Sequence, residues 1–211
     1  GPELAAALSR YPGVFIQVLF CVDEKGQVLF ERKLNNDSVG AALAMAKEHE
    51  LSLFAYRGDY LLASEQSNPS LVRSIHEIYG EPLPEIAKSN EDIADAPDGW
   101  HKVLLLHEDD DWLKSTIRPK LDELARANNA ATTQAVPCML ELLPYGMNKA
   151  AGVAALCEHL GVDPSNALIA LGDGENDIEM LQMAACGIAM RNAQTHVNDC
   201  SYAYKHATNN D

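Results

Sequence analysis

Basic residues are scarce in this sequence: its 211 residues include 16 Lys and Arg against 31 Asp and Glu, which gives a formal net charge of −15. Nucleic acids and anionic membrane surfaces are bound mainly through basic patches. The charge balance therefore argues against either of them as the main partner. A small phosphorylated ligand stays compatible with it, because one lysine and a metal ion can hold a phosphate inside an acidic protein.

Paired cysteines and long apolar runs are missing as well. The five cysteines include no C-x-x-C pair, and their odd number favours free thiols in a reducing compartment. No apolar run reaches the length of a membrane-spanning helix. The sequence therefore predicts an intracellular soluble protein, long enough for one large domain or two small ones.

Residue patterns in the first two thirds predict a hairpin followed by a mixed region. The apolar run 14–22 (VFIQVLFCV), the turn 23–26 and the segment QVLFERKL predict two paired strands. Strand-like segments such as 132–144 (TTQAVPCMLELLP) then alternate with helical segments in a half-exposed pattern. We interpret residues 35–143 as a separate α+β lid.

The last third consists of helices that alternate with short apolar strands. The predicted helix 148–161 ends at Gly161, and the apolar run 167–171 (ALIAL) is typical of a strand buried on both faces of a parallel sheet. A further helix and the short strand 187–190 (GIAM) follow, and SYAY at 201–204 is consistent with one more strand. This alternation predicts a βαβ unit in an α/β sheet.

Three carboxylates and an amide follow the apolar run within five positions: Asp173, Glu175, Asn176 and Asp177. Ligands of open α/β sheets bind outside the carboxyl ends of the strands, and a helix beginning near Glu175 would add free N–H groups. Asp173 and Asp177 can lie on one side of the first helical turn, and hard oxygen ligands beside such N–H groups suit Mg²⁺. The pattern predicts a Mg²⁺ site held by these two aspartates.

Two other interpretations of the cluster compete with a magnesium site. Asp and Glu are favoured at any helix start, so the cluster can be a plain acidic N-terminus. A calcium loop of the EF-hand type is the second interpretation. Its sixth position would be Ile178 rather than glycine and its twelfth Ala184 rather than glutamate, so the sequence argues against it.

A lysine at the start of the helix 148–161 indicates an anionic partner. Lys149 follows Pro144, Tyr145 and Gly146, and it lies at the end of the helix where a cation opposes the helix dipole. An anion nearby would explain that placement. A plain solvent-exposed lysine is the alternative.

These segments together resemble one known family. LELLPYGMNKAAGVAALCEHLGV, followed by a strand and GDGENDIEMLQMA, is similar to the C-terminal half of the haloacid dehalogenase-like (HAD) phosphohydrolases, most closely the Cof-type subfamily with its large α/β cap. PGVFIQ, the hairpin, KEHELSLFAYRGDYLL and HEIYGEP resemble the lead-in to that cap in plant and algal members. The resemblance implies an α/β fold: strand and hairpin leading to the cap in 1–34, an α+β cap in 35–143, and in 144–211 the rear half of a partial Rossmann-like HAD core with a parallel sheet.

The resemblance also implies a chemistry. Lys149 matches the lysine that holds the transferring phosphoryl group, Asp173 matches a Mg²⁺ ligand, and Asn176 and Asp177 match positions that contact phosphate and support the metal. The implied activity of the intact protein is Mg²⁺-dependent hydrolysis of small phosphorylated metabolites through an aspartyl-phosphate, in the cytoplasm or a plastid.

Polar residues on a predicted turn of the cap are candidates for substrate contact. Tyr56, Arg57, Asp59 and Tyr60 cluster between two strands and could touch a leaving group. An ordinary polar turn explains them equally well.

The nucleophile of the family has no counterpart at the matching position. Its D-x-D motif precedes the lead-in to the cap, and GPELAAALSRY, which stands there, contains no such motif. A D-x-D pattern does occur at Asp109, Asp110 and Asp111. These residues open a predicted helix, so we interpret them as a solvated acidic helix start.

This gap leads to two expectations for the chain. In the first, the chain is inactive by itself, and the missing strand comes from the protein's own N-terminal segment or from a swapped copy. In the second, it is a shortened, non-catalytic homologue that acts as a binding or assembly subunit.

Overall fold

The computed structural model describes residues 13–15, 20–23, 25, 27–80, 82–134, 136–147, 149–193 and 195–199. The chain divides into two compact units. The middle unit comprises Arg32–Gly146, and the terminal unit combines Gly1–Glu31 with Met147–Asp211. Of the helices in these described ranges, none is long and apolar enough to cross a membrane.

Short strands and helices alternate along both units. The strands are β1 (Gly13–Phe15), β2 (Phe20–Val22), β3 (Val28–Glu31), β4 (Ser52–Arg57), β5 (Tyr60–Ala63), β6 (Glu85–Ile86), β7 (Lys102–Leu106), β8 (Ala130–Thr133), β9 (Met139–Pro144), β10 (Ile169–Gly172) and β11 (Cys186–Ala189). The helices are α1 (Asn36–Glu48), α2 (Pro69–Tyr79), α3 (Glu91–Ala94), α4 (Asp110–Trp112), α5 (Arg118–Ala127), α6 (Lys149–Leu160), α7 (Pro164–Ala167), α8 (Ile178–Met183) and α9 (Thr195–Asn198), with a π-helical turn at Leu113–Ile117 and a 3-10 turn at Glu175–Asp177.

A mixed sheet forms the centre of the middle unit. Its strands lie in the order β6–β5–β4–β7–β9–β8, and neighbouring strands are antiparallel except β5 and β6. The strand-like segment 132–144 contains parts of two strands, since β8 and β9 pair with each other and Thr132 lies opposite Leu142. The chain reverses between Thr133 and Met139, where Pro137 was the local turn signal.

Local capping sets the limits of the longer helices in this unit. Asn35 caps α1, because its Oδ1 accepts hydrogen bonds from the backbone N (2.7 Å) and Oγ (2.8 Å) of Ser38. Asn68 caps α2, which has Pro69 in its first turn and ends at Gly80 with φ of 68°. Such a left-handed residue suits glycine and stops the helix.

The central strands β4, β7 and β9 are buried along almost their whole length. One face of the sheet packs Leu105 and Leu142 with the buried side chains of α1 and α5, and the other packs Phe54 and Leu104 with those of α2. The predicted half-exposed pattern is therefore wrong for these strands. Their nearly continuous apolar composition was the local signal of this burial, and helices cover both faces of the sheet.

The front of the terminal unit is a three-stranded antiparallel meander of β1, β2 and β3. The predicted hairpin is present between β2 and β3. The apolar run 14–22, however, is two strands instead of one, since Val14 pairs with Cys21 across β1 and β2. A uniformly apolar sequence does not show where the chain turns back on itself.

The rest of the terminal unit contains the predicted βαβ arrangement. β10 and β11 pair in parallel through Ile169 opposite Cys186, and α8 connects them. Ala170 packs against Leu181 of α8, but Ile169 is 64% and Leu171 57% exposed. The prediction that this strand is buried on both faces is therefore wrong, because only one face of β10 is covered. The strand predicted at 201–204 lies outside the described residues.

Candidate active site

The last residue of β10 allows two segments to come into very close contact. A Cβ atom at Gly172 would lie 2.6 Å from Cγ and 2.8 Å from Oδ2 of Asp177, closer than real Cβ atoms approach other atoms. Glycine at this position therefore lets the chain fold Asp177 back onto the end of the strand. The carboxylate of Asp177 thus lies at the carboxyl edge of the sheet, where open α/β sheets bind ligands.

Asp177 is held by the backbone that precedes it. Its Oδ2 accepts hydrogen bonds from the backbone N of Asp173 (2.9 Å) and Gly174 (3.0 Å), and the residue is only 2% exposed. The expected helical segment starts at Glu175 as a 3-10 turn, Glu175–Asp177, and continues as α8 from Ile178. The two N–H groups that Asp177 accepts from precede this segment.

Lys149, the first residue of α6, contacts the same carboxylate. Its Nζ donates to Oδ1 of Asp177, and its side chain is 34% exposed. A lysine at a helix start opposes the dipole, and here a buried carboxylate offsets that cost. This contact supplies one positive charge to the acidic segment, because the ammonium group of another helix lies against Asp177.

Asp173 is fixed by a residue that sequence reasoning missed. Its Oδ2 accepts a hydrogen bond from Nδ2 of Asn192 at 2.8 Å. Because β10 and β11 are parallel and Met190 N donates to Gly172 O at 2.8 Å, both strand ends lie at one edge. A polar side chain shortly after the predicted strand 187–190 was the signal that could have identified Asn192.

Few of the described side chains at this edge of the sheet could bind a metal ion. Within the described ranges, no group of three or more His, Cys, Asp or Glu side chains lies close enough together to hold a metal ion. Asp173 and Asp177 supply two carboxylates, which fits Mg²⁺, an ion that takes one or two protein carboxylates and completes its shell with water and phosphate oxygens. As a ligand, Asp177 would share Oδ1 with the Lys149 ammonium.

Asn176 lies in the same tight turn as the two aspartates. Its Oδ1 sits 2.8 Å from the place where a Cβ on Gly174 would be. The contact between Lys149 and Asp177 thus brings the start of α6 to the turn that contains Asp173, Asn176 and Asp177.

The aspartate triplet 109–111 is a helix start, as interpreted from the sequence. Asp109 caps α4 by accepting from the backbone N of Trp112 at 2.9 Å. Asp110 accepts from Cys138 N at 2.8 Å and pairs with Lys114 at 2.6 Å, so it is a partly buried structural group. The Lys114 ammonium, followed by the Cys138 N–H, lowers the pKa of Asp110 below its usual value.

The candidate cap residues do not form one group. Asp59 is exposed in the turn, and the ring of Tyr56 lies against Lys102, whose Nζ is 4.7 Å from its centroid. Arg57 and Tyr60 instead line a cavity in the middle unit. Successive strand residues point to opposite faces, which separates Tyr56 from Arg57.

Lys102 and Glu141 are two buried charged residues that sequence reasoning also missed. Their Nζ and Oε1 atoms are 3.5 Å apart, and their side chains are 9% and 6% exposed. The signal was a charged residue inside each of two strongly apolar strands, because such residues are rarely buried unless paired.

Comparison with known proteins shows the family of this chain and the solved structures that it resembles. A sequence profile described as haloacid dehalogenase-like hydrolase matches residues 8–211. The chain belongs to the haloacid dehalogenase-like hydrolases. A solved HAD-like hydrolase from Bacteroides thetaiotaomicron has 26% identity and a TM-score of 0.74, with 90% of this chain and 69% of that one covered. A HAD subclass IIB sugar phosphatase shares the fold, with 17% identity, a TM-score of 0.79 and coverage of 98% of this chain and 74% of that one.

Two curated relatives of this HAD-like hydrolase carry different names. The chloroplastic endoribonuclease YBEY of Arabidopsis thaliana is 38% identical over 181 residues, which are 86% of this chain and 30% of that protein. The 5-amino-6-(5-phospho-D-ribitylamino)uracil phosphatase YitU of Bacillus subtilis is 46% identical over 54 residues, which are 26% of this chain and 20% of that protein. The chain thus spans less than a third of the length of either relative.

Proposed function

We propose that this HAD-like hydrolase is part of a Mg²⁺-dependent phosphatase of small phosphorylated metabolites. One observation supports the proposal most strongly: the Lys149 ammonium contacts the buried carboxylate of Asp177 at the carboxyl edge of β10. The contact supports a site with a cation at the position where α/β sheets bind ligands. A phosphate entering there would find an ammonium group that is already oriented.

In this proposal each residue of the site has a defined role. Lys149 holds the phosphoryl group, and Asn176 donates to a phosphate oxygen. Asp173 holds Mg²⁺, with Asn192 fixing its carboxylate, and Asp177 supports both the metal and the orientation of Lys149. Bound Mg²⁺ would neutralise negative charge on the phosphate oxygens.

The nucleophile of the proposed reaction lies outside this chain. In the intact protein an aspartate carboxylate would attack phosphorus while the bond to the leaving alcohol breaks, and water would then hydrolyse the aspartyl-phosphate. Because transfer needs the nucleophile and Lys149 placed together, we propose that the 211 residues alone give no turnover. Supply of the missing strand by the protein's own N-terminal segment is part of this proposal.

Names of relatives support a small phosphorylated substrate. Besides YitU, an HMP-PP phosphatase of Cronobacter sakazakii is 40% identical over 77 residues. The Arabidopsis relative is named an endoribonuclease, but the net charge of −15 argues against RNA as a partner of this chain. Its chloroplastic name favours a plastid over the cytoplasm as the location of this protein.

Hydrolysis of p-nitrophenyl phosphate by the complete protein tests the proposal. We expect activity with Mg²⁺, its loss with EDTA, and its loss in Asp173→Asn. Asp163→Asn is the matched control, because Asp163 caps the short helix α7 and asparagine caps equally well. Activity that survives both EDTA and Asp173→Asn would contradict the metal role.

A shortened, non-catalytic homologue is the second candidate, and one observation favours it. Ile169 and Leu171 expose an apolar face on β10, which a partner chain or a swapped copy could cover. The genomic sequence upstream of Gly1 separates the two candidates. A D-x-D-G-T motif after an apolar strand there would contradict the non-catalytic subunit, whereas its absence would contradict the phosphatase.

A further inference from the structure

The middle unit contains a cavity of about 380 Å³, a volume in the range of small-molecule sites. Its lining comes from β4, β5, β6 and residues 87–100, and none of the residues of the proposed phosphate site belongs to it. Leu62, Ala87 and Pro97 give it an apolar floor, while charged side chains of both signs stand around them. The cavity is therefore a second candidate site, independent of the phosphatase proposal.

A guanidinium group is fixed at one corner of the cavity. The rings of Tyr60 and Trp100 stack with centroids 6.0 Å apart and planes 16° apart. Cζ of Arg57 lies 5.1 Å from the Tyr60 centroid and 5.4 Å from the Trp100 centroid, and Nη1 of Arg57 is 3.2 Å from Oδ2 of Asp98. The two aromatic rings and the Asp98 carboxylate together orient the planar Arg57 guanidinium and its N–H donors.

Carboxylates supply the acceptors of the cavity. Oε2 of Glu85 accepts from Oη of Tyr60 at 3.3 Å, and Oδ2 of Asp92 accepts from the backbone N of Lys88 (3.0 Å) and Ser89 (3.1 Å). Each of these contacts uses one carboxylate oxygen, so the other can accept from a ligand. Burial, followed by the nearby Glu85 charge, raises the pKa of Tyr60, so its hydroxyl keeps the proton that it donates to Glu85.

The charges around the cavity nearly cancel, because Arg57 and Lys88 face Glu85, Asp92 and Asp98. A strongly anionic or cationic ligand would meet repulsion from one of the two sets. Hydroxyl groups, in contrast, donate to carboxylates and accept from guanidinium and ammonium groups, and the C–H faces of a sugar pack on apolar surface. We propose that this cavity binds a neutral, hydroxyl-rich ligand, a sugar or a sugar alcohol.

Two-dimensional ¹H–¹⁵N NMR of the 211-residue chain tests the proposal with D-glucose and ribitol as probes. Trp100 and Trp112 are the two tryptophans, and Trp112 packs against His107 instead of lining the cavity. We expect a saturable shift of the Trp100 indole N–H signal with at least one probe and no shift of the Trp112 signal. Inorganic phosphate serves as the anionic comparison.

Variants of the guanidinium corner complete the test. Arg57→Met should weaken probe binding by about tenfold or more, since it removes charge-assisted hydrogen bonds, and Arg126→Met, at an exposed position of α5, should leave it unchanged. If Arg57→Met does not fold, Asp98→Asn is the decisive variant. It keeps the Arg57 guanidinium but removes the carboxylate that orients it, and it should weaken probe binding as measured by the same Trp100 shift. The proposal is overturned if neither probe shifts the Trp100 indole N–H signal, or if the Trp112 signal shifts by the same amount. It is also overturned if phosphate binds more tightly than both probes, or if the decisive variant binds the probe as wild type does.

Discussion

Lys149 and Asp177, which are 28 positions apart in the sequence, meet at the carboxyl edge of β10 through a contact between ammonium and carboxylate. The carboxylate is buried and also accepts two backbone N–H groups, whereas the lysine side chain is partly exposed. The pair therefore links the start of α6 to the tight turn after the strand. It positions the lysine before any ligand binds.

Removing the lysine should destabilise the fold as well as the proposed site. Lys149→Met leaves the buried Asp177 without its ammonium partner, and we expect a loss of about 1–3 kcal/mol in the free energy of unfolding. Urea unfolding measures the loss, with Lys47→Met, at an exposed position of α1, as the control. In the Asp177→Asn background the same change should cost less. Equal losses in both backgrounds would contradict a direct coupling.

Adding one methyl group at the strand end should disturb the same pair. Gly172→Ala places a Cβ 2.6 Å from Cγ of Asp177, so the carboxylate must move, and we expect about 1–3 kcal/mol of destabilisation. Gly40→Ala is the matched control, because a Cβ there meets nothing within 4 Å. This control should be neutral or stabilise α1 by up to about 1 kcal/mol. Thermal unfolding of the two variants compares them, and similar melting temperatures would count against the close packing at Gly172.

Asp110 should contribute to stability in a pH-dependent way. Its pKa in the folded protein is lowered, so the contribution is present above the unfolded pKa of about 3.9 and is lost as the pH falls through the folded value. Asp110→Asn should therefore cost about 1 kcal/mol at pH 7, and the difference from wild type should shrink in acid. Urea unfolding as a function of pH measures this difference. Asp111→Asn, at an exposed position, is the control for the removal of one surface carboxylate. A difference that stays constant into acid would refute the assignment.

Metal binding should depend on Asp173. Addition of about 10 mM MgCl₂ with inorganic phosphate should raise the melting temperature of the chain, because a ligand that binds only the folded state stabilises it. Asp173→Asn should remove most of this rise, and Asp163→Asn should keep it. Calorimetry with CaCl₂ provides the contrasting measurement: calcium bound much more tightly than magnesium would favour a calcium-binding module.

Several parts of the fold could be predicted because their signals are local. The helix start at Asp109, the parallel βαβ of β10, α8 and β11, and the position of Lys149 at the start of α6 follow from capping, periodicity and apolar runs. The carboxylate cluster could be found in the same way. The exact start of α8 could not, because the 3-10 turn Glu175–Asp177 precedes it and a residue pattern does not distinguish such a turn from the first turn of an α-helix.

The sequence by itself determined the acidic segment after β10, the lysine at the start of α6 and the membership of a hydrolase family. Only the tertiary structure decided that Asp177 receives Lys149, that Asn192 binds Asp173, and that Arg57 packs against Tyr60 and Trp100. It also decided which strands are covered: β4, β7 and β9 are buried, whereas β10 exposes Ile169 and Leu171. The physical reason is that a residue pattern records the preferences of one segment. Burial and pairing depend instead on which distant segment packs against it.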